Sequence, residues 1–447
     1  METKQMNKNI IPAPRHLLLA AAIGALSPSA MALDYKGYFR ALAGSNSDHG
    51  GAACFKLDGA MSKYRLGNEC ETYGEFEFNQ DVLTTEDGTV FKGNIMLSLH
   101  NPNSTGGGTD VGLPQVYVEG EKLPELNGAS AWMGRRYYNR ESLGPNDFFY
   151  WSGQGFGGGI RDVPLGQHAK FSYAWLRKDN LIPTTTGQFP PAGALAENGS
   201  NSASRHDFQL RGVPVNRNGT LELGLSLIVK DAQGSNKVDK EQLHNGYGIT
   251  LQHRQLGLPG DGWNKFALQY GVGPGTGGAD SAIGAIGRLT DSRRVSRVRL
   301  VEGAYAQFTP RLGAELVAIY QKDKGFTAAR TLVGSTENKT WTSLGAHVVY
   351  GLTRHIKLNA DVGIDSVKPD TGPTRRLTKL TIAPTISAGP GLNARPDLRL
   401  FYTYARWNDA ARAAASVASP GSALSSSGAF GNSNNGSTVG VQAEVWF

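Results

Sequence analysis

The stretch His355-Ile-Lys-Leu-Asn-Ala-Asp-Val-Gly-Ile-Asp365 alternates almost without a break. Ile356, Leu358, Ala360, Val362 and Ile364 fall on one side, and Lys357, Asn359, Asp361 and Asp365 on the other. Successive side chains of an extended chain point to opposite faces, so this is a strand with one apolar and one ionic face. Thr220-Leu-Glu-Leu-Gly-Leu-Ser-Leu227 repeats the pattern, with Leu221, Leu223, Leu225 and Leu227 opposing Glu222, Gly224 and Ser226. The same period runs through 71–78, 91–100, 266–272, 398–404 and 438–447. The chain is all-β.

Composition agrees. Glycine makes up 58 of 447 residues, nearly twice the usual share of about 7%, and each costs a helix interior about 1 kcal/mol. The one strongly apolar run, 17–26, is shorter than the roughly 18 residues of a spanning helix, which excludes a helical transporter. With 9% aromatic residues, intrinsic disorder is not expected. The net charge of +7 comes without a long or aromatic-interleaved Lys/Arg block, so nucleic acid is not an expected partner.

Residues 1–32 read as a signal peptide: Lys4, Lys8 and Arg15, then the apolar run, then Ala30-Met31-Ala32 as a small-x-small cleavage site. Removing them takes away three bases and Glu2, and lowers the net charge to +5. Residues 33–447 are then one exported domain. Cys54 and Cys70, an even pair in an oxidising compartment, read as a disulfide. Metal is the poorer alternative, because no His stands near at ligand spacing.

Strands of about ten residues with one greasy face fit either a soluble sandwich or propeller or a transmembrane barrel. Three features favour the barrel. The polar faces carry Lys, Asp, Glu and Arg, as a wet bore requires. Tight connections (309–311, 351–353) alternate with long ones (183–204, 408–437). Trp446-Phe447 ends the last strand, an ending similar to the C-terminal signature of outer-membrane barrel proteins. About 23 residues per strand and connection gives roughly 18 antiparallel strands. Alternation begins at Asp34, leaving no room for a plug domain.

Parity then assigns the bore. Lys36, Tyr38 and Arg40 share the wet face of the first strand, and Glu71, Tyr73, Glu75 and Glu77 that of the second. Thr438, Gln442, Glu444 and Trp446 line the last, and Trp263 shares a face with Lys265 and Gln269. A pyranose offers an apolar C–H face to an aromatic ring and a rim of hydroxyls to charged groups, so rings beside ionic groups suit a sugar. The competing reading places these rings in the interfacial girdles of the barrel.

Several motifs, in order, resemble the maltoporins, trimeric sugar-specific porins. They are Asp34-Tyr-Lys-Gly-Tyr-Phe-Arg40, Ser62-Lys-Tyr-Arg-Leu-Gly-Asn-Glu-Cys-Glu-Thr-Tyr73, Arg135-Arg-Tyr-Tyr-Asn-Arg140 with Asp147-Phe-Phe-Tyr-Trp151, and Gln442-Ala-Glu-Val-Trp446. The resemblance implies a transmembrane antiparallel β-barrel of 18 strands, an inward-folded third loop at 135–151, and a homotrimer in outer-membrane lipid. It also implies passive diffusion of oligosaccharides along an aromatic slide, with no cofactor. By position, Tyr38, Tyr73, Trp263 and Trp446 fall on the slide. Arg40, Arg65, Glu75, Arg140 and Asp147 fall on the polar track, with Phe149 where the constriction has tyrosine. Cys54 and Cys70 match a first-loop disulfide.

Asn393 occupies a slide position that is tryptophan in maltoporins, and 100–113 holds no tryptophan to reach a neighbouring subunit. Ser142 replaces an acid and Pro114 an arginine. A shorter slide and weaker maltodextrin affinity are expected, with sucrose or other small saccharides accepted. The rival function is a general or weakly anion-preferring porin, given Arg40, Arg65 and Arg140. An enzyme is the weakest alternative. Glu75 and Glu77 have glycosidase-like spacing, but no catalytic elbow, zinc or phosphate-loop motif is present. The glycine runs 106–108 and 157–159 read as loop.

Overall fold

Each alternating stretch becomes a strand in the computed structural model, which describes residues 33–102, 108–178, 202–231, 243–278, 282–326 and 338–447. The expected signal peptide lies outside these residues, as do most of 183–204 and part of the glycine run at 106–108. The first nine strands are β1 Asp34–Asn46, β2 Thr72–Thr84, β3 Val90–Asn101, β4 Asp110–Leu123, β5 Ala129–Leu143, β6 Phe148–Leu165, β7 Ala169–Lys178, β8 Ser202–Asn216 and β9 Gly219–Asp231. The other nine are β10 Gly246–Leu258, β11 Gly262–Val272, β12 Ser296–Thr309, β13 Leu312–Lys324, β14 Lys339–Gly351, β15 Ile356–Pro369, β16 Arg375–Ser387, β17 Asp397–Trp407 and β18 Asn435–Trp446.

These strands form one 18-stranded sheet in which each pairs antiparallel with its sequence neighbours, and β1 pairs β18 to close it. Closure removes both edges, the condition for a sheet to cross lipid. At the seam Gly37 and Phe447 exchange backbone hydrogen bonds of 2.8 and 3.0 Å. The Phe447 ring occupies the space beside Gly37, where a Cβ would come within 2.4 Å of it. The final residue thus seals the cylinder.

Burial is inverted relative to a soluble protein. Leu344, Ile364, Leu380, Leu400 and Val441 are exposed, while Gln252, Arg299, Lys357 and Asp361 are buried. Apolar side chains outward and paired polar ones inward are what lipid outside and water inside select. The described residues include no helix long and apolar enough to span a membrane; the strands do the crossing.

Tight turns such as Arg217–Asn218 and Pro310–Arg311 gather at the end that also holds the start of β1 and the close of β18. At the opposite end the first connection, between β1 and β2, folds inward, which the sequence reading had not foreseen. Its Cys54–Cys70 disulfide is formed, with Cα atoms 5.9 Å apart. Tyr64 lies across Gly345 and Gly363, where a Cβ on either glycine would come within 2.0 Å of its ring, and its hydroxyl meets Ser343 at 3.0 Å. Lys379 and Thr381 hydrogen-bond the Leu66 carbonyl at 2.9 and 3.0 Å. The loop therefore lies along the inner wall of β14–β17.

The third such connection also enters the bore, as expected. It is a continuation of β5 and β6 closed by a turn at Gly144–Asp147, not an irregular loop, so Arg135–Arg140 lie in a strand. The run Gly157–Gly159, expected as loop, is within β6. There the β7 carbonyls of Trp175 and Tyr173 approach so closely that no Cβ fits on Gly157 or Gly159. The connection 408–437 likewise contains an α-helix, α1 (Asp409–Ala418), capped by Asn408, and its last residues already belong to β18. Phe55 and Phe430 stack 5.7 Å apart and join this connection to the first loop.

Candidate functional site

β18, β1 and β2 are adjacent, and their register decides which inward side chains meet. Tyr38 stands opposite Trp446 on one side and Glu75 on the other, and Arg40 stands between Glu444 and Tyr73. The Tyr38 ring centre lies 6.5 Å from that of Trp446 and 6.4 Å from that of Tyr73. Three expected slide residues thus form a continuous ring path down one wall.

Ionic groups border the path. Arg40 pairs with Glu69 at 3.2 Å and Glu71 at 2.8 Å, and Arg65 with Glu69 at 3.1 Å and Glu444 at 2.8 Å. Arg399 reaches Glu444 at 2.6 Å and Asp397 at 2.7 Å. The Arg395 guanidinium sits 4.0 Å from the centre of the Trp446 ring. Arg40, Arg65, Arg395 and Arg399 each pair with one or more of Glu69, Glu71, Asp397 and Glu444, and Lys63 and Lys357 reach Glu71 and Asp397 at 3.7 and 2.9 Å. The wall therefore offers donors and acceptors side by side. The Tyr38 hydroxyl donates to Glu444 at 3.1 Å and accepts from Arg65 at 2.5 Å, while Tyr73 donates to Glu75 at 2.6 Å. A cavity of about 230 Å³ opens beside Trp446, lined by Arg65, Glu69, Glu315, His347 and Asn393 among others.

The hairpin of β5 and β6 carries the remaining expected residues. Arg140 lies between two rings, its guanidinium 4.0 Å from the Tyr137 ring centre and 3.9 Å from that of Phe149. Asp147 is in the turn with φ 50°. The hairpin is held on both flanks. Glu141 takes Arg211 at 2.9 Å, Arg254 at 2.5 Å and Lys265 at 2.7 Å from β8, β10 and β11. Tyr150 donates to Gln252 at 2.6 Å, and Phe148 packs edge-on against Trp341 at 5.4 Å. At its tip the Pro145 carbonyl accepts from the Arg65 amide at 3.0 Å, and Asn146 donates to Ser62 at 3.1 Å. First and third loops therefore brace each other across the bore.

Trp263 is inward, but stands apart. Its ring is 6.5 Å from Tyr305 and 4.5 Å from the Lys265 ammonium, against Leu392 and Val349. Leu392 and Asn393, in the β16–β17 turn, also border the cavity beside Trp446. Asn393 thus lies between the two aromatic groups, at the position where the expected slide lacks its tryptophan.

Residues 33–447 match the LamB porin family. The chain belongs to that family. It is an outer-membrane porin of bacteria, a channel and not an enzyme. Solved structures similar to this porin include OpdQ of Pseudomonas aeruginosa, at 10% identity over 93% of this chain and 98% of that one, TM-score 0.48. A BenF-like porin of Pseudomonas fluorescens Pf-5 is similar at 11% identity, 93% and 99% coverage and TM-score 0.48. OmpF of Salmonella typhi, in complex with daunomycin, is similar at 12%, 93% and 98%, with TM-score 0.44. At such identities the likeness does not extend to solute or assembly.

Sequence reasoning missed Tyr305, Tyr137, Arg395 and Arg399 as neighbours of the path. Tyr305 shares parity with Arg297 and Arg299 on β12, a signal that was available. Arg395 sits in a turn, where alternation is silent. Among the described residues, no His, Cys, Asp or Glu group is arranged to hold a metal.

Proposed function

We propose that this porin conducts small oligosaccharides by passive diffusion, as a homotrimer in outer-membrane lipid. Tyr73, Tyr38 and Trp446 form the track, and Trp263 with Tyr305 a second, separated step. Arg40, Arg65, Glu75, Arg140, Asp147 and Phe149 exchange hydrogen bonds or contacts with the solute.

The observation that carries the reading is the unbroken order Tyr73, Tyr38, Trp446, with ring centres 6.4 and 6.5 Å apart beside paired arginines and carboxylates. Rings stacking on C–H faces hold a sugar weakly at each position, and the ionic edge replaces hydroxyl hydration. A solute passes when each site is weak and the next is close. Donors and acceptors held side by side along the wall suit the hydroxyls of an uncharged solute. Asn393 interrupts the track, so long maltodextrins gain less here than on an uninterrupted slide, and sucrose-sized solutes lose little.

Uptake of labelled sucrose into proteoliposomes is the test. A rate that saturates with sucrose and is competed by maltotriose is expected. A rate that rises linearly and depends on solute size alone contradicts the reading, and indicates a general diffusion porin.

A further inference from the structure

Five basic side chains stand outside the cylinder, at the end away from the tight turns. Lys322 and Lys324 close β13, Lys368 lies near the end of β15, Arg376 near the start of β16, and Arg406 near the end of β17. All five are exposed. Their parity is that of the outward row. Lys322 follows Leu316 and Tyr320, Lys368 follows Val362 and Ile364, Arg376 precedes Leu380 and Ile382, and Arg406 follows Tyr402 and Tyr404; each of these apolar side chains is exposed. The alternate residues Gln321, Asp323 and Asp365 are buried toward the bore.

Their height follows from the aromatic girdle. Tyr320 and Tyr404 are the outermost outward rings of β13 and β17, and outward tyrosines mark the membrane–water interface. Lys322 and Arg406 each lie two residues, about 7 Å of strand, beyond one of them. That is headgroup level. Lys322 and Lys368 are both in register with Thr340, so about 10 Å separates their backbones.

No side chain of the five has an ion-pair or hydrogen-bond partner among the described residues. Elsewhere on the rim a counter-charge is built in, as where Arg177 of β7 meets Asp231 of β9. Exposed described acids in the neighbouring turns are Asp370, between β15 and β16, and Asp409, which Arg412 and Asn434 already bond. Like charges spaced this closely at a membrane surface repel one another unless an anion stands between them.

We propose that this rim binds the phosphate-bearing headgroups of outer-leaflet lipids, so that the β13–β17 sector faces lipid in the assembled porin. Outward aliphatic rows directly below it would take the acyl chains of the same molecules, which selects lipid over free phosphate.

The test is native mass spectrometry and titration of the purified porin, in zwitterionic detergent, with bis-phosphorylated lipid A and with its dephosphorylated form. The wild type is expected to bind the phosphorylated lipid at least tenfold more tightly, with affinity falling as salt rises. A variant combining Lys322→Gln, Lys324→Gln, Lys368→Gln, Arg376→Gln and Arg406→Gln should lose most of that preference. Heat-modifiable migration and unchanged conductance establish that its barrel is folded. A control with Lys170→Gln, Arg217→Gln and Arg354→Gln, at the tight-turn end, should keep it. Equal binding of both lipids by the wild type, undiminished preference in the rim variant, or displacement by millimolar inorganic phosphate overturns the proposal. Loss of oligomer in the rim variant with lipid preference intact also overturns it, and assigns the rim to a second copy of the chain.

Discussion

Tyr38 and Trp446, from opposite ends of the chain, meet with ring centres 6.5 Å apart and planes 24° from parallel. They are register partners across the β1–β18 seam, so the ring path exists only in the closed barrel. Replacing Trp446 by Ala removes a stacking surface worth about 1 kcal/mol. The sugar concentration for half-maximal current block should rise about fivefold, with little change in salt conductance. Tyr38→Phe keeps the ring but frees Arg65 and Glu444 from its hydroxyl, and should cost less. An equal or larger loss in Tyr38→Phe would mean that the hydroxyl network, not the rings, holds the solute.

Arg140 has no carboxylate partner among the described residues, whereas Arg40 and Arg65 do. An unpaired cation in a narrow bore attracts anions. Arg140→Gln should shift the zero-current potential in a potassium chloride gradient toward cation preference, and Arg40→Gln should disturb folding of the first loop as well. No shift in Arg140→Gln would place the residue outside the ion path.

The first loop is held by more than its disulfide. Tyr64 is buried over Gly345 and Gly363, and Arg375 pairs with Asp58 at 3.0 Å. Tyr64→Ala removes a buried aromatic at a local cost of about 3 kcal/mol. A wider, noisier channel with weaker sugar block is expected. Reduction of Cys54–Cys70 alone should leave conductance nearly unchanged, because the anchors persist. A large conductance change on reduction would show that the disulfide is what keeps the loop in the bore.

Lys56 of the same loop lies among neighbours that strip part of its hydration, and it faces Lys63; both effects push its ammonium below the usual lysine range, with desolvation the larger and Asp58 opposing. A lysine depressed in the folded state gives up its proton earlier there. Folding is therefore favoured as pH rises from the folded value towards the unfolded one, and Lys56 becomes nucleophilic at a lower pH in the folded chain. Acylation followed by mass spectrometry should label Lys56 at a lower pH in the folded porin than in the denatured chain. Lys63→Gln should move the Lys56 profile upward; an unmoved profile would exclude Lys63 as a cause.

The barrel was legible because alternation is set by a boundary every strand crosses: Ile356 to Ile364 must meet lipid and Lys357 to Asp365 water. Length gave the strand number only loosely, with roughly 16 as near as 18, and pairing in the closed sheet sets it at 18. The ring path was legible in part. Parity told which side Tyr38, Tyr73, Trp263 and Trp446 take, but register across the seam decides which of them meet, and register is not local. Trp263 is inward yet pairs with Tyr305. Period-two reasoning was also silent for chain that leaves the wall. Tyr64 folds inward because two glycines on neighbouring strands, Gly345 and Gly363, leave a notch, and such a notch is visible only once β14 and β15 are paired. The glycines at 157–159 read as loop for the same reason: their use, close approach of β7, is tertiary.

Current through single channels, titrated with sucrose, maltotriose and maltoheptaose, tests the sugar track most directly. The expected result is block that saturates with concentration, is weakened by Trp446→Ala, and does not strengthen steeply from maltotriose to maltoheptaose, because Asn393 interrupts the rings. Block that never saturates, or is untouched by Trp446→Ala, would contradict it.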